Sequence, residues 1–459
     1  MSNLAVVVLA AGHGTRMRSH TPKVLHRVAG RPLLDHVLSA VAPLNPERTL
    51  VVLGPDSPVA DWLEARSGVE VVIQPERLGT GDAVRACAGV LAGFTGHVVV
   101  LFGDGPLIRT STVQKVLDAH LKVRADATLL TAELDDPTGY GRVIRTDAGN
   151  IVRIVEEADA SASEQAIREV STGIWCFEAK SLFRSLDRIT PDNAQGEYYL
   201  TDAAFIIASK GGKMYTTMAD DPEETKGVND RLQLAEAERA LQRRMVEKLS
   251  AAGVTFEDPD TAYIEAGVEI GPDTVIRPSV YLRGETRVGS GCVVGPQVDA
   301  TDSAIGEGSE VLFAVLRGAE VGPRCMIGPF AYLRPGTKLE VGVKIGTFVE
   351  INRSTIGAGS KVPHLSYIGD TEMGADVNIG AGTITGNYDG ETETKSKTVI
   401  EDGVDTGSGS TIVAPVRLGR DAVTGAGSVV TKDVAPSEVV VGVPARPVRK
   451  RKPKKEENT

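Results

Sequence analysis

The stretch IEAGVEIGPDTVIRPSVYLRGETRVGSGCVV, residues 264–294, decides the fold of the second half of the chain. Apolar residues recur at every sixth position, at Ile264, Ile270, Ile276, Leu282, Val288 and Val294. A helix repeats about every 3.6 residues and a strand about every two, so neither explains this period. It predicts a parallel β-helix, in which each hexapeptide forms one side of a coil around a narrow aliphatic core. Glycine commonly follows the apolar position, where it would accept corner dihedrals.

The first half of the chain alternates two kinds of segment. Short β-branched runs stand at residues 4–10, 49–54, 69–74, 97–104 and 126–134, with amphipathic stretches such as 32–41 and 80–91 between them. This alternation predicts a mostly parallel sheet that is covered by helices. Residues 229–252 contain no proline and are rich in helix formers, so we expect a linker helix that ends at Gly253.

These patterns predict four regions. An α/β domain covers residues 1–228, the linker helix 229–252, the β-helix 253–445, and a basic disordered tail 446–459. The tail, RPVRKRKPKKEENT, is rich in lysine and arginine and could bind nucleic acid, but a short basic end on an acidic chain is more typical of a solvated terminus.

The composition of the 459 residues excludes some classes of function. A net charge of −11 and an aromatic content of 4% argue against nucleic acid as a partner. The chain lacks a run of about 18 apolar residues and a signal-peptide pattern, so neither a membrane span nor a membrane partner is expected. Its 4 cysteines show neither metal-ligand spacing nor a disulfide framework, which predicts a cytoplasmic protein.

Two motifs of the first half suggest phosphate chemistry. LAAGHGTRM, residues 9–17, has small residues that let the backbone approach a phosphate or a base, and Arg16 and Lys23 could neutralise phosphates. It matches neither a Walker A loop nor a dinucleotide fingerprint. Asp104 follows a predicted strand, where a carboxylate suits Mg²⁺. DDPTGYGR (135–142) and QGEYYLTD (195–202) are typical of loops with polar contact groups. A strand-to-helix turn with surface cations, and an aspartate that caps a turn, remain open alternatives.

His364, in KVPHLSYIGD (361–370), is the first histidine after His120. Imidazole titrates near neutrality and can take a proton from an amine nucleophile. Glu350, about one coil earlier, is a candidate to orient it. The hexapeptide phase breaks nearby, so residues 386–397 are predicted to form a loop off the coil. A surface histidine on a stacking scaffold is the alternative.

The motifs, taken together and in order from about residue 4 to 445, resemble one family. It is the bifunctional N-acetylglucosamine-1-phosphate uridylyltransferase/glucosamine-1-phosphate N-acetyltransferase family. The stretches that carry the resemblance are LAAGHGTRM, PKVLH, QPERLGTGDA, GDGPL, DDPTGYGR, NAQGEYYLTD, GVNDRLQLAEAER, AYLRPGT, HLSYIGD, VNIGAGTITGNYDG and VAPV.

The resemblance implies a fold and a function. The fold is a Rossmann-like α/β nucleotidyltransferase domain, a long linker helix and a left-handed parallel β-helix of hexapeptide repeats. The function is acetyl transfer from acetyl-CoA to glucosamine 1-phosphate, followed by uridylyl transfer from UTP with release of pyrophosphate. The resemblance also implies Mg²⁺ as cofactor, a homotrimer joined through the β-helices, and a product that supplies cell-envelope polymers.

The resemblance further implies residue roles, which group by ligand. The nucleotide and sugar positions are Leu9, Ala10, Ala11, Gly12, Lys23, Gln74, Gly79, Thr80, Phe102, Gly103, Asp104, Gly141, Glu156, Ser171 and Asn229. Arg16 and Lys23 match phosphate-binding cations, and Asp104 and Asn229 match Mg²⁺ ligands. In the β-helix, His364 matches the base. The sugar-phosphate positions are Arg334, Asn352, Tyr367, Asn378 and Lys395, and the acetyl-CoA positions are Ala381, Asn387, Tyr388, Ser408, Ala426 and Gly442.

The chain departs from the family pattern at several of these positions. Ser171 stands where the family has asparagine, Phe102 where it has tyrosine, and Arg77 where it has glutamine near the uracil. Asn352 replaces a lysine on the sugar phosphate, and Gly442 replaces an arginine on coenzyme A. If Arg353 continues a strand it should point to the opposite face from Asn352, so it is not an obvious substitute.

Three hypotheses therefore remain at this point. The chain is the full bifunctional enzyme, or a uridylyltransferase whose β-helix is a trimerisation scaffold with weak or altered acyltransferase activity, or a non-catalytic subunit. The joint presence of Arg16, Lys23, Asp104 and Asn229 argues against the third.

Overall fold

The structure is a computed structural model that describes residues 3–147, 149 and 151–452. The chain forms two compact units, the first ending at Leu241 and the second beginning at Gln242. The first is an α/β unit and the second a stack of short parallel strands, with the helix Arg231–Ala251 where the two meet in sequence. This architecture confirms the predicted fold class. Among the helices of the described ranges, none has both the length and the apolar character to span a membrane.

The first unit is built on one mixed sheet. Its main strands, in spatial order, are Met214–Met218, Ala127–Glu133, Glu169–Glu178, His97–Phe102, Leu4–Leu9, Arg48–Leu53 and Glu70–Ile73. Glu169–Glu178 is antiparallel to both of its neighbours in this order, and it also pairs with Gly141–Arg145, which pairs with Ile151–Val155. The helices are Leu33–Val41, Val59–Glu64, Thr80–Arg85, Thr110–Val123, Ala162–Gln165, Ala179–Leu186 and Leu200–Ser209.

The central strands are apolar because helices cover both faces of the sheet. Every residue of Leu4–Leu9 is buried. Its neighbour His97–Phe102 runs parallel to it, and the two strands end side by side at Leu9 and Phe102. The loops that follow these strands therefore begin at the same edge of the sheet, where open α/β folds bind ligands.

The helix Arg231–Ala251 lies within the predicted linker. It ends as the sequence predicts, because Gly253 has a φ of +95° and its N–H bonds to Ser250 O at 3.0 Å. A left-handed residue at this position is a common helix stop, and glycine adopts it without a steric penalty.

The second unit explains the six-residue period. Ile264 pairs with Leu282, Ile270 with Val288, and Ile276 with Val294, and each pair belongs to a different parallel sheet. Three hexapeptides thus make one coil of 18 residues, and each of the three sides of that coil contributes one of these apolar positions. Some lapses in the period are shorter coils, such as the 17 residues from Val288 to Ile305, whose apolar residues still stack in register.

Strands of the β-helix are short, and those of each sheet come from successive coils. The first sheet contains Thr255–Phe256, Val275–Ile276, Val293–Val294, Glu310–Val311, Met326–Ile327, Lys344–Thr347 and Lys361–His364. The second contains Ala262–Ile264, Val280–Arg283, Asp299–Thr301, Ala314–Arg317, Ala331–Leu333, Glu350–Asn352, Tyr367–Gly369, Ile384–Gly386, Thr411–Val413 and Val429–Val430. The third contains Glu269–Ile270, Arg287–Val288, Ala304–Ile305, Glu320–Val321, Lys338–Leu339, Thr355–Ile356, Thr371–Met373, Thr398–Ile400 and Val416–Leu418.

The glycines that follow apolar positions divide into two groups: Gly328, with a φ of +98°, has the corner conformation predicted, whereas Gly271 and Gly289 have a different reason. Gly271 and Gly289 do not have positive φ. A Cβ at Gly271 would lie 2.7 Å from Ser290 N, and one at Gly289 would lie 2.7 Å from Glu307 N. Glycine is needed there because the backbone of the next coil passes too close for a side chain.

The C-terminal segment differs from the predicted disordered tail. Residues Ala445–Lys450 form a strand that pairs with Glu438–Gly442 in an antiparallel hairpin. Arg451 then forms an ion pair with Asp405 and donates to Gly403 O at 2.8 Å, which anchors the hairpin to the coils. The prediction of disorder is therefore wrong for residues 446–450, and residues 453–459 lie outside the described ranges.

Candidate active sites

A cavity of about 590 Å³ opens in the first unit, and its wall includes both strand ends, Leu9 and Phe102. It gathers nearly all of the residues predicted for nucleotide, sugar and metal: Leu9, Ala10, Ala11, Gly12, Arg16, Lys23, Gln74, Arg77, Gly79, Thr80, Phe102, Asp104, Gly141, Glu156, Ser171 and Asn229. Gly103 is not part of the wall, but its N–H bonds to Leu9 O at 2.9 Å and holds the two strand ends together.

Two oxygen-bearing side chains converge on the ammonium group of Lys23. Its Nζ forms an ion pair with Asp104 Oδ2 and donates to Asn229 Oδ1 at 3.0 Å. The N–H of Val228 bonds to Asp104 O at 2.9 Å, so the backbone holds the two oxygen-bearing residues close. Carboxylate and amide oxygens are donors that Mg²⁺ prefers, and these two already surround one positive charge. The donor set therefore fits the implied metal.

Arg77, one of the departures, lies across the loop that follows the first strand. Its Nε donates to Ala11 O at 2.5 Å, and its Nη1 lies 3.1 Å from His13 Nε2. Nearby, Gln74 is 2% exposed and its Nε2 donates to Asp82 Oδ2 at 2.8 Å. This wall of the cavity is thus held by hydrogen bonds of the protein itself.

Phe102 and Ser171, two other positions that depart from the family pattern, lie at a β-bulge. The pairing of Glu169–Glu178 with its neighbour shifts between Ser171 and Trp175. Inside the bulge, Gly173 has a φ of +74°, and a Cβ there would lie 2.0 Å from the ring of Phe102. The phenyl ring therefore packs directly on this backbone, and it brings no hydroxyl to the cavity wall.

The cavity wall also includes the half-buried carboxylate of Glu156 and the buried hydroxyl of Tyr199. Burial raises the pKa of Glu156, whose Oε1 accepts from Thr201 Oγ1 at 3.5 Å. Burial also raises the pKa of Tyr199 to about 12, and its hydroxyl lies buried without a hydrogen-bond partner among the described residues. Sequence reasoning noted QGEYYLTD as a polar loop but missed Tyr199, because burial of one hydroxyl cannot be read from the motif.

The β-helix places the predicted base on its surface. His364 is exposed at the end of Lys361–His364, in register with Thr347. Its carbonyl oxygen accepts from Ser366 Oγ at 2.7 Å and from Gly382 N at 3.2 Å, which fixes the backbone.

Glu350 has a different partner from the predicted one. It lies in the second sheet, in register with Tyr367, and accepts from Arg334 Nη1 at 2.9 Å. Among the contacts of the described ranges, none joins Glu350 to His364. Glu350 thus orients Arg334, and its role beside His364 stays a prediction.

The sugar-phosphate residues divide between two faces of the β-helix. Arg334 follows a strand of the second sheet, and Asn352 and Tyr367 belong to that sheet, where Asn352 Nδ2 lies 3.4 Å from Tyr367 Oη. Asn378 bridges to Lys361 beside the first sheet, which also carries His364. The corner at Leu365 joins the two faces.

The predicted acetyl-CoA residues form a column and a hairpin. Ala381, Ser408 and Ala426 lie in successive coils, since Gly409 N bonds to Ala381 O at 2.7 Å and Gly427 N to Ser408 O at 2.8 Å. Tyr388 and Lys395 pair in the hairpin that leaves the coil at the predicted loop. Asn387, at its base, donates to Asp370. Gly442 has a φ of +97° and pairs with Ala445 in the C-terminal hairpin.

Comparison with known protein families identifies the class of the first unit. Residues 6–196 match the family model of the MobA-like NTP transferase domain, and they contain most of the cavity residues. The α/β unit is therefore a nucleotidyltransferase domain.

Similarity over nearly the whole chain then gives the family. The bifunctional protein GlmU of Brevibacillus brevis is 46% identical over 443 residues, which are 96% of this chain and 95% of that protein. The GlmU proteins of Heliobacterium modesticaldum and Mycolicibacterium gilvum are 47% and 46% identical, over 96% of this chain in each case and 96% and 90% of their own lengths. The chain belongs to the GlmU family, which confirms the family expected from the motifs.

Proposed function

We propose that this chain carries out the last two steps of UDP-N-acetylglucosamine synthesis. It acetylates glucosamine 1-phosphate with acetyl-CoA in residues 253–445, and it joins the product to UMP from UTP in residues 1–228. The observation that carries this proposal is the cavity in which Lys23, Asp104 and Asn229 meet, beside the loop that begins at Leu9.

In uridylyl transfer, a phosphate oxygen of N-acetylglucosamine 1-phosphate attacks the α-phosphorus of UTP, and pyrophosphate leaves. Arg16 and Lys23 neutralise phosphate charge, and Gln74 and Gly79 belong to the wall that holds the nucleotide. Asp104 and Asn229 would hold Mg²⁺, which supplies charge neutralisation at the reacting phosphates. Glu156, Gly141 and Ser171 line the part of the cavity that receives the sugar.

In acetyl transfer, the amine of glucosamine 1-phosphate attacks the thioester carbon, and coenzyme A leaves as the thiol. His364 takes the amine proton, and its exposed position gives substrate access to the ring. The column Ala381, Ser408 and Ala426 receives the acetyl-CoA. Both reactions belong in the cytoplasm, in keeping with 4 free, buried cysteines.

The second candidate function is uridylyl transfer on a largely structural β-helix, and the uncharged Asn352 and Gly442 favour it. Two assays on the wild type distinguish the candidates: pyrophosphate release from UTP with N-acetylglucosamine 1-phosphate, and thiol release from acetyl-CoA with glucosamine 1-phosphate. Both products support the proposal. Pyrophosphate alone supports the second candidate, and neither product from folded protein refutes both.

Tyr199 provides a test of the sugar side of the cavity. Its buried hydroxyl has no hydrogen-bond partner in the part of the chain that the structure describes, so Tyr199→Phe should remove a destabilising group and raise the melting temperature by a few degrees. If a sugar hydroxyl bonds to Tyr199, the same variant should raise the KM for N-acetylglucosamine 1-phosphate about tenfold. Calorimetry and pyrophosphate release measure the two effects. Tyr215→Phe, at a half-exposed tyrosine, is the control, and an unchanged KM in Tyr199→Phe would contradict the contact.

We also propose the homotrimer, and one corner of the β-helix supports an apolar interface. Phe313, Phe330 and Phe348 form a stack, with Phe330 and Phe348 parallel at 5.3 Å, and Leu365 continues the series on the next coil. All four have positive φ, a strained conformation for bulky residues, and Phe348 is 59% exposed. Burial against a second copy would offset both costs.

The stack makes the trimer testable. Phe348→Ser should lower the mass in light scattering from three chains toward one, because it removes a large apolar contact. Met326→Ser removes another exposed apolar side chain outside the stack and should leave the mass unchanged. A Phe348→Ser protein that keeps the wild-type mass would exclude this corner as the interface.

A further inference from the structure

Arg353 lies at a corner of the β-helix, directly after the strand Glu350–Asn352. Its φ is +46°, so the chain has already turned, and the alternation of a strand does not apply to it. Its Nη1 lies 3.4 Å from Asn352 Oδ1. The expectation that Arg353 points away from Asn352 is therefore wrong.

The guanidinium of Arg353 lies between the residues proposed for the sugar phosphate and those proposed for acetyl-CoA. On one side, Asn352 is 6% exposed and its amide nitrogen lies 3.4 Å from Tyr367 Oη. On the other, Arg353 Nε and Nη2 bind the carboxylate of Asp370 at 2.7 and 2.9 Å. Asp370 also accepts from Asn387, which the proposed function assigns to acetyl-CoA.

Gly369 lets the side chains of Tyr367 and Asn387 come close together. A Cβ at this position would lie 2.5 Å from Tyr367 Oη and 2.8 Å from Asn387 Nδ2. The two polar groups thus converge over a residue without a side chain, next to Asp370. The result is a polar cluster formed by the amides of Asn352 and Asn387 and the hydroxyl of Tyr367, beside the guanidinium of Arg353.

Charge decides what this polar cluster needs in order to bind a phosphate. A phosphate monoester carries close to two negative charges near neutral pH, whereas Asn352 and Tyr367 are neutral. Arg334 is paired with Glu350. Arg353 is 42% exposed at its side chain, and an arginine has five N–H donors, so its fork can serve Asp370 and a phosphate together. Arg353 also lowers the pKa of Asp370, which keeps the carboxylate ionised.

We propose that Arg353 binds the phosphate of the amino-sugar substrate and sets the preference of this site for a phosphorylated sugar. Asp370 is a positioning residue that aims the guanidinium and holds Asn387. This inference rests on the proposed acetyl transfer, and it assigns to Arg353 the positive charge that Asn352 does not provide.

The test compares Arg353→Gln with Arg324→Gln in the full chain, using thiol release. Arg324 is a matched control, because it is an exposed arginine with a φ of +56° on another corner of the β-helix. We expect Arg353→Gln to raise the KM for glucosamine 1-phosphate about 10- to 100-fold. The KM for acetyl-CoA and the rate with glucosamine, which lacks the phosphate, should change less than about threefold. Arg324→Gln should behave as the wild type does.

A second variant separates binding from structural support. Adding Asn352→Lys to Arg353→Gln moves the positive charge by one residue and should recover most of the lost affinity for glucosamine 1-phosphate. If Arg353 only supported the fold through Asp370, Arg353→Gln would weaken both sugars equally, and that result would overturn the inference, as would an unchanged KM. A wild type without thiol release would instead refute the proposed acetyl transfer itself.

Discussion

Asp104→Ala should lower pyrophosphate release by about a thousandfold and leave thiol release unchanged. The carboxylate of Asp104 is paired with Lys23, and Asn229 contacts the same ammonium. Its loss leaves Lys23 with the neutral amide of Asn229 and removes the negative charge that would hold Mg²⁺ at the proposed site. Because the acetyl-transfer residues lie in the second unit, unchanged thiol release would show that the loss is confined to the first unit.

Two further variants sharpen this prediction. Asp118→Ala removes an exposed aspartate from the helix Thr110–Val123 and should have wild-type activity. Asp104→Asn keeps an oxygen ligand, so its loss should be smaller and should shrink as Mg²⁺ is raised. Full pyrophosphate release by Asp104→Ala at low Mg²⁺ would show that this carboxylate is not a metal ligand.

His364→Ala should lower the kcat of thiol release about 100- to 10,000-fold, with pyrophosphate release unchanged. The backbone of His364 is fixed by Ser366 and Gly382, and its ring is exposed at the end of a strand. Removal of the ring therefore takes away the proton acceptor and leaves the coil intact. The assay uses saturating acetyl-CoA and glucosamine 1-phosphate.

Lys361 supplies the matched control for this prediction. It is an exposed residue on the same strand, so Lys361→Ala should retain most of the acetyl transfer. If His364→Ala releases thiol at the wild-type rate, another group accepts the proton. If the wild type releases pyrophosphate but no thiol, the β-helix is a scaffold, as the second candidate function states.

The six-residue period was enough to predict the β-helix, because each apolar position is one residue that faces the core. Ile264, Ile270 and Ile276 stand on three different sheets, and the core returns to the first of these sheets at Leu282. The cavity was predictable for a related reason. Asp104 follows a buried parallel strand, and such strand ends gather at one edge of the sheet.

The side-chain partners could not be predicted in the same way. Glu350 and His364 are close in sequence, yet they belong to different sheets, and Glu350 binds Arg334 instead. Strand alternation misplaced Arg353, because the chain turns one residue earlier than a continuing strand would. Composition predicted a solvated tail, but the ion pair of Arg451 with Asp405 is a long-range contact that composition does not contain.

The unequal lengths of the coils have an evolutionary consequence. Val288 and Ile305 are 17 residues apart, whereas Met373 and Ile400 are 27 apart, and yet both pairs are in register in the third sheet. The strands of the core therefore stay in register although the segments that connect them differ in length. The hairpin with Tyr388 and Lys395 emerges from the longer of these two coils, between Met373 and Ile400. Such a scaffold can acquire a new binding loop by local insertion, without a compensating change elsewhere in the solenoid.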